Sequence, residues 1–196
     1  MRKTVNNYEL MKDLDKKPHL NPLSVIISNI NTGFIECPCQ ISLNIYVQGC
    51  KMRCEGCQNP ELQPFEGGSL INLQEIEKVL EHHSLSTWIC WLGGDAIYQP
   101  DGFKAFNKLF KEKNYKVCLY TGAKQKEITD LLDNVDVVID GEWSGTPVTD
   151  NNSNQKVYIK NNNQWGEHNF AELKEKLKES VFCSYDKALT IDSSQN

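Results

Sequence analysis

Three cysteines within eight residues form the most chemically informative stretch of the chain. Cys50, Cys54 and Cys57 lie in the segment GCKMRCEGCQNP, residues 49–60. Cysteine thiolates at such short spacings hold iron–sulfur clusters, and three of them on one loop can surround a single inorganic core. A four-iron cluster with only three protein ligands keeps one iron open, and an open position distinguishes a reactive metal site from a closed structural one. The triplet therefore predicts a metal centre whose fourth position is filled by another ligand.

The composition of the 196-residue chain narrows the classes of function. Its formal net charge of -5, without a stripe of Lys and Arg, argues against a nucleic-acid partner. No apolar run approaches the ~20 residues that cross a bilayer, and the first twenty residues lack the apolar core of a secretory signal. We therefore expect a cytoplasmic protein with no membrane partner. In that reducing compartment, clustered cysteines hold metal or do chemistry more often than they form disulfides.

Strands and helices alternate along the chain and must position the cysteines. Apolar periodicity and turn signals predict strands at 23–30, 41–49, 87–95, 115–122, 135–141 and 155–160, and helices at 72–84, 101–114, 124–134 and 169–180. This order indicates an α/β fold with a parallel sheet. The predicted domains are an N-terminal arm at 1–23, a core domain at 24–160, and a C-terminal appendix at 161–196 that opens with a linker at 161–167.

Four of the predicted strands end in glycine-containing pairs or triplets. In parallel α/β folds, sites form at the carboxyl ends of the strands. We therefore expect these four ends to meet at one rim: Gly49-Cys50, Gly93-Gly94-Asp95, Thr121-Gly122 and Asp140-Gly141.

A structural zinc site is the alternative interpretation of the triplet. Cys37 and Cys39 lie just upstream and could supply a fourth thiolate. The combined spacing differs from that of paired zinc knuckles, which repeat C-x2-4-C. The remaining cysteines lie in or near apolar runs and are expected to be buried and inert: Cys90, Cys118 and Cys183.

The spacing of the triplet, directly after a strand, resembles the signature of the radical S-adenosylmethionine superfamily. That resemblance implies a partial (incomplete) parallel β/α barrel. It also implies one [4Fe-4S] cluster held by the three cysteines, with S-adenosylmethionine at the open iron. The segment WLGGDA, residues 91–96, is similar to the Gly-Gly-Glu-Pro segment of that superfamily. Gly93, Gly94 and Asp95 are thereby implied to hold the methionine end of the cofactor.

Within the superfamily, the chain most resembles the activating enzymes of anaerobic ribonucleoside-triphosphate reductase. Four segments carry this resemblance: 47–68, 92–96, 119–143 and 151–158. It implies an oxidoreductase that cleaves S-adenosylmethionine to a 5′-deoxyadenosyl radical. That radical would take hydrogen from a glycine in the large subunit of the reductase and leave a stored glycyl radical. A reduced flavodoxin-type protein is implied as the electron donor.

The same resemblance suggests further cofactor-binding residues. The main chain at Gly56, Cys57 and Gln58 is implied to face the adenosine. Weaker assignments to the rim are made for four residues: Thr121, Asp140, Asn154 and Gln155. For Asp140, a purely structural place in the turn before Gly141 is an open alternative, and Asn154 has the same alternative in its own turn.

Two other functions fit the residues. One is a small radical S-adenosylmethionine synthase that acts on a pterin-like metabolite in deazapurine biosynthesis. The other is a non-catalytic interaction module whose metal site is closed by Cys37 or Cys39.

Overall fold

A single mixed sheet of eight strands organises the residues that the computed structural model describes, 23–38 and 40–178. The sheet order is β3-β1-β2-β4-β5-β6-β7-β8. The four central strands β2, β4, β5 and β6 are parallel, and the strands on both sides of them are antiparallel. The strands are β1 Val25–Gly33, β2 Ser42–Val47, β3 Ser69–Ile71, β4 Trp88–Gly93, β5 Lys116–Thr121, β6 Val137–Asp140, β7 Lys156–Asn161 and β8 Gln164–His168.

The α/β class and the parallel centre of the sheet are confirmed, whereas closure into a partial barrel stays a prediction. Helix α1, Leu73–His82, connects β3 to β4, and helix α2, Pro100–Glu112, connects β4 to β5. A third helix, α3, covers residues 170–178. Within the described ranges, no helix combines the length and hydrophobicity that a membrane span requires.

The start of α1 follows directly from its sequence. The Asn72 side chain accepts hydrogen bonds from the main-chain N–H groups of Gln74 and Glu75, at 2.9 and 3.1 Å. The Glu75 carboxylate in turn accepts the Asn72 N–H at 2.8 Å. This reciprocal capping box satisfies N–H groups that the first turn of a helix leaves without partners. The predicted helix start is therefore confirmed.

Hydrophobic side chains cover both faces of the central strands, as expected for buried parallel strands. On one face, Trp91 of β4 packs against three rings of α2, Phe103, Phe106 and Phe110, with ring centroids 5.3 to 6.1 Å apart. On the other face, α3 buries Leu173 and Leu177 in a cluster with strand residues that include Cys90 and Cys118. Both cysteines are fully buried, as predicted.

The predicted helix at 124–134 is wrong. This connection forms two short 3-10 turns, Gln125–Glu127 and Thr129–Leu131. The Asp140 carboxylate accepts the Gln125 N–H at 2.6 Å, and Lys160 Nζ donates to the carbonyls of Leu132 and Asp133 at 3.1 and 2.9 Å. Side chains from β6 and β7 thus satisfy main-chain groups at both ends of the connection, so a continuous helix is not needed to pair them.

The predicted linker at 161–167 is also wrong, because these residues form most of the β7–β8 hairpin. Asn162 and Asn163 have positive φ values of 49° and 62° and make its two-residue turn. Asparagine tolerates this left-handed conformation better than most residues. The domain boundary expected at 161 therefore falls inside a hairpin. Residues 1–22 of the predicted arm at 1–23 lie outside the described residues, as do Cys39 and Cys183.

Replacement of a core ring tests the packing of α2 on the sheet. Phe106 is fully buried between Trp91 and Phe110. We expect Phe106→Ala to lower the free energy of unfolding by about 3–5 kcal/mol, because lost burial and a residual cavity add together. Chemical denaturation of the cluster-free protein measures this. The control is Leu85→Ala: Leu85 is 78% exposed, so a change within about 0.5 kcal/mol is expected. Similar losses in both variants would contradict the packing.

Candidate functional site

The carboxyl ends of the four parallel strands meet around one cavity of about 140 Å³. Its walls combine the cysteine triplet with the residues that follow β4, β5 and β6, so the expectation that these ends share a rim is confirmed. A larger groove of about 770 Å³ lies along α2 and contains none of the predicted site residues. The cavity is lined by Cys50, Met52, Cys54, Cys57, Gln58, Asn59, Leu92, Gly93, Gly94, Asp95, Tyr120, Thr121, Gly122, Gly141, Trp143 and Gln155.

Residues 49–63, here called the cysteine loop, are closed at their base by hydrogen bonds. The N–H groups of Gly49 and Cys50 donate to the carbonyls of Leu62 and Gln63, at 2.8 and 2.9 Å. The buried Gln48 side chain donates from Nε2 to the carbonyls of Glu61 and Pro64, at 3.2 and 2.6 Å. Cys50 therefore leaves the end of β2 in a fixed direction.

The Gly93-Gly94 pair brings the end of β4 against the start of the cysteine loop. The Gly94 N–H donates to the Val47 carbonyl at 2.7 Å, and the Asp95 N–H donates to the Gly49 carbonyl at 3.0 Å. A Cβ atom on Gly94 would lie 2.5 Å from the Gly49 oxygen, and Gly93 has a φ of 88°. Gly94 permits the close approach because it has no side chain, and Gly93 adopts the left-handed conformation that other residues rarely adopt.

The three cysteine side chains are half-buried and border the same cavity. Burial raises the pKa of the Cys50 thiol to about 11, and it also raises the pKa of Cys54. Among the described residues, no three His, Cys, Asp or Glu side chains are arranged around a single ion. Thiolates that each hold a different iron of a cluster need not converge on one point. Three free thiols on one loop at one cavity are a donor set that fits a [4Fe-4S] cluster.

Asp95 directs its side chain into the protein and joins the ends of two strands. Its Oδ2 accepts hydrogen bonds from Thr121 Oγ1 at 2.9 Å and from the Gly122 N–H at 3.0 Å. Burial raises the pKa of the Asp95 carboxyl from 3.8 to about 6, although these donors oppose the shift. Thr121 is itself buried by this contact. The side chains of both residues thus fix the rim, and their predicted contacts with the cofactor stay predictions.

The other predicted rim residues have different positions. Asp140 is buried and does not line the cavity; its carboxylate accepts the Gln125 N–H, and burial raises its pKa. This favours the structural alternative for Asp140. Gln155 lines the cavity, whereas Asn154 accepts a hydrogen bond from Ser144 Oγ at 2.9 Å. Gly56 lies in the cysteine loop with a φ of 64°.

Several residues that line the cavity were not predicted to be part of the site, among them Met52, Leu92, Tyr120 and Trp143. Met52 packs on Gly122, where an added Cβ would lie 2.8 Å from Met52 Cγ. The Trp143 indole N–H donates to the Gly56 carbonyl at 2.9 Å. Trp143 follows β6 by three residues, so extending the strand-end rule past the glycine would have found it.

Known proteins match the chain over this same region. The model of the 4Fe-4S single cluster domain family matches residues 40–165. The anaerobic ribonucleoside-triphosphate reductase-activating protein of Enterobacteria phage T4 is 29% identical in an alignment 135 residues long that covers 62% of this chain and 85% of the relative. The pyruvate formate-lyase-activating enzyme of Clostridium pasteurianum is 26% identical over 101 residues, 48% of this chain and 42% of that enzyme.

Among solved structures, the crystal structure of QueE from Escherichia coli aligns with a TM-score of 0.41 and 10% identity, over 62% of this chain and 59% of that one. The family match includes the whole cysteine loop and all four strand ends at the cavity. The chain therefore belongs to the 4Fe-4S single cluster domain family, as a radical S-adenosylmethionine enzyme whose cofactors are a [4Fe-4S] cluster and S-adenosylmethionine.

Proposed function

We propose that this enzyme creates the glycyl radical of an anaerobic ribonucleoside-triphosphate reductase. The observation that carries the proposal is the position of three free thiols, Cys50, Cys54 and Cys57, at a cavity built from the ends of four parallel strands. The similarity to the phage T4 protein, which extends over 85% of that relative, supports the choice of reductase. The match to the clostridial activating enzyme supports the broader class of glycyl-radical partners.

When bound, the reduced cluster and S-adenosylmethionine would supply the radical chemistry, the removal of a hydrogen atom from a glycine Cα. The protein binds and orients these groups. Cys50, Cys54 and Cys57 would hold the cluster and would leave one position for S-adenosylmethionine. The main chain at Gly56 and Gln58 faces the adenosine. A glycine substrate suits a narrow cavity, because it has no side chain to block the approach.

The Gly93-Gly94-Asp95 segment contributes chiefly through its main chain. The Asp95 carboxylate is occupied by Thr121 and Gly122 and is buried. Gly93 and Gly94 line the cavity and carry no side chains of their own. We therefore assign the methionine end of S-adenosylmethionine to the peptide groups of the two glycines, and assign Asp95 the role of fixing their orientation.

The proposal also includes the setting in which the enzyme works. A reduced flavodoxin-type protein is the proposed electron donor, and the reductase large subunit is the protein partner. The thiols of Cys50, Cys54 and Cys57 are free, which suits a reducing compartment such as the cytoplasm. We further propose that the sheet corresponds to the incomplete β/α barrel of radical S-adenosylmethionine enzymes.

Spectroscopy of the reconstituted enzyme tests the open iron. We expect the oxygen-free, reduced protein to give an electron paramagnetic resonance signal of a four-iron cluster that shifts on addition of S-adenosylmethionine, together with formation of 5′-deoxyadenosine. Cys54→Ser should abolish both results. The matched control, Cys37→Ala with Cys39→Ala, should keep both, because these thiols are not ligands in the proposal. Loss of the cluster in the control would instead support a site closed by four thiolates.

The partner is tested with the reductase large subunit from the same source. Incubation with the reduced enzyme and S-adenosylmethionine should give the doublet signal of a glycyl radical, and a large subunit with its radical-bearing glycine changed to alanine should not. Efficient turnover of a free pterin substrate without any protein partner would contradict the activating function and support the deazapurine synthase.

The buried Asp95 carboxyl gives a prediction for stability against pH. Its pKa is about 6 in the folded protein against an ordinary 3.8, so the folded state binds the proton more tightly. Ionisation therefore costs stability as pH rises from about 4 to about 7, with a total on the order of 3 kcal/mol. Asp95→Asn keeps an oxygen acceptor and cannot ionise.

The measurement is denaturant unfolding of the cluster-free wild type and Asp95→Asn across this pH range. The difference in unfolding free energy between the two proteins should shift in favour of the variant as pH rises. Asp101→Asn provides the control, because it makes the same chemical change at an exposed carboxylate that does not line the cavity. Parallel profiles for Asp95→Asn would show that its pKa is not raised.

A further inference from the structure

The segment after β6 contacts the cysteine loop twice through one residue, Trp143. Its indole Nε1–H donates to the Gly56 carbonyl at 2.9 Å. Its main-chain N–H donates to the sulfur of Cys54. Trp143 also lines the cavity. Trp143 lies 87 positions after Gly56 in the sequence. Its two hydrogen bonds therefore connect a distant segment to the part of the loop that carries Cys54 and Cys57.

This outer part of the cysteine loop has little packing of its own. Glu55 and Gly56 are exposed, and a Cβ atom added to Gly56 would meet no heavy atom within 4 Å. The base of the loop is different, because Gln48 and the main chain of residues 49–63 hold it next to β2. Cys50 is thus positioned by the sheet, whereas the segment between Cys54 and Cys57 needs support from elsewhere.

Trp143 is itself held from both sides. On one side, the Gly141 N–H donates to the Thr121 carbonyl at 2.9 Å, and Gln155 Nε2 donates to the Gly141 carbonyl at 3.4 Å. On the other side, Ser144 Oγ donates to Asn154 Oδ1 at 2.9 Å. Since the residues around Trp143 are tied to β5 and to the start of β7, the indole can fix the cysteine loop relative to the sheet.

We propose that Trp143 is a positioning residue for the [4Fe-4S] cluster, holding Gly56 through its indole and donating its main-chain N–H to the ligand sulfur of Cys54. Hydrogen bonds to cluster sulfurs tune the reduction potential, and partners behind a metal ligand also fix its orientation. A shift in the position of Cys54 therefore changes both the retention of iron and the electronic environment of the cluster. The inference rests on the cluster ligands and not on the identity of the glycyl-radical partner.

The test compares Trp143→Phe with the matched control Trp165→Phe. Phenylalanine at 143 keeps a ring and the main-chain N–H but cannot donate to Gly56. Trp165 lies on β8, where Lys160 Nζ is 5.5 Å from its ring centroid, and it does not line the cavity. Both proteins are reconstituted without oxygen. The readouts are iron release to a ferrous chelator, the cluster midpoint potential, and the paramagnetic resonance spectrum of the reduced cluster.

We expect iron release from Trp143→Phe to be roughly three- to tenfold faster than from wild type, as befits the loss of one hydrogen bond that holds a ligand segment. We also expect altered g values and a shifted midpoint potential, which a purely structural role far from the cluster would not produce. Trp165→Phe should match wild type in all three readouts. The melting temperature of each cluster-free variant checks that the fold is kept.

Equal iron release, g values and potential in Trp143→Phe, Trp165→Phe and wild type would overturn the inference. Such a result would leave the proposed function standing if the wild-type cluster still responds to S-adenosylmethionine. Failure of the proposed function would give a different result. The wild-type enzyme would then form no glycyl radical on the reductase, while Trp143→Phe would still lose iron faster than wild type.

Discussion

The close contact between the end of β4 and the start of the cysteine loop is the constraint on which the site depends. The hydrogen bonds from Gly94 to Val47 and from Asp95 to Gly49 continue the parallel pairing of β2 and β4 beyond the strands themselves. A side chain on Gly94 would separate the two segments. Because Cys50 follows Gly49 directly, the first cysteine of the triplet is placed by the same hydrogen bonds that hold the sheet together. The Asp95 carboxylate then joins this region to the end of β5, because it accepts hydrogen bonds from Thr121 and Gly122.

The electrostatics of this region connect cluster binding to protonation. The pKa of Cys50 is raised to about 11, chiefly by burial, and the neighbouring Asp95, Cys54 and Cys57 contribute to the same shift. The metal-free protein therefore holds a neutral thiol at Cys50 at neutral pH. A thiol must lose its proton to bind iron, so assembly of the cluster releases protons and is driven by the positive charge of the metal. The same burial that disfavours a bare thiolate strengthens its attraction to iron, since the local dielectric is low.

Local signals in the sequence predicted the elements whose hydrogen bonds are local. The Asn72–Glu75 capping box, the helices that precede and follow β4, and the meeting of four strand ends were all predicted and are present. The helix expected at 124–134 failed because its apolar spacing also suits two 3-10 turns, and the choice between them depends on Asp140 and Lys160, which come later in the chain. The β7–β8 hairpin did have a local signal, since two adjacent asparagines favour a two-residue turn with positive φ.

Residues at the site divide in the same way, according to the range of their contacts. The cysteine triplet and the glycine pair are recognisable because their function requires fixed spacing over a few residues. The cysteine loop, however, is supported from three sides by interactions of different kinds: the extended ladder from β4, the packing of Met52 on Gly122, and the indole of Trp143. The last two join segments that no short motif spans. The exposed residues 55 and 56, at the outer end of the cysteine loop, therefore depend on these longer-range contacts for their position.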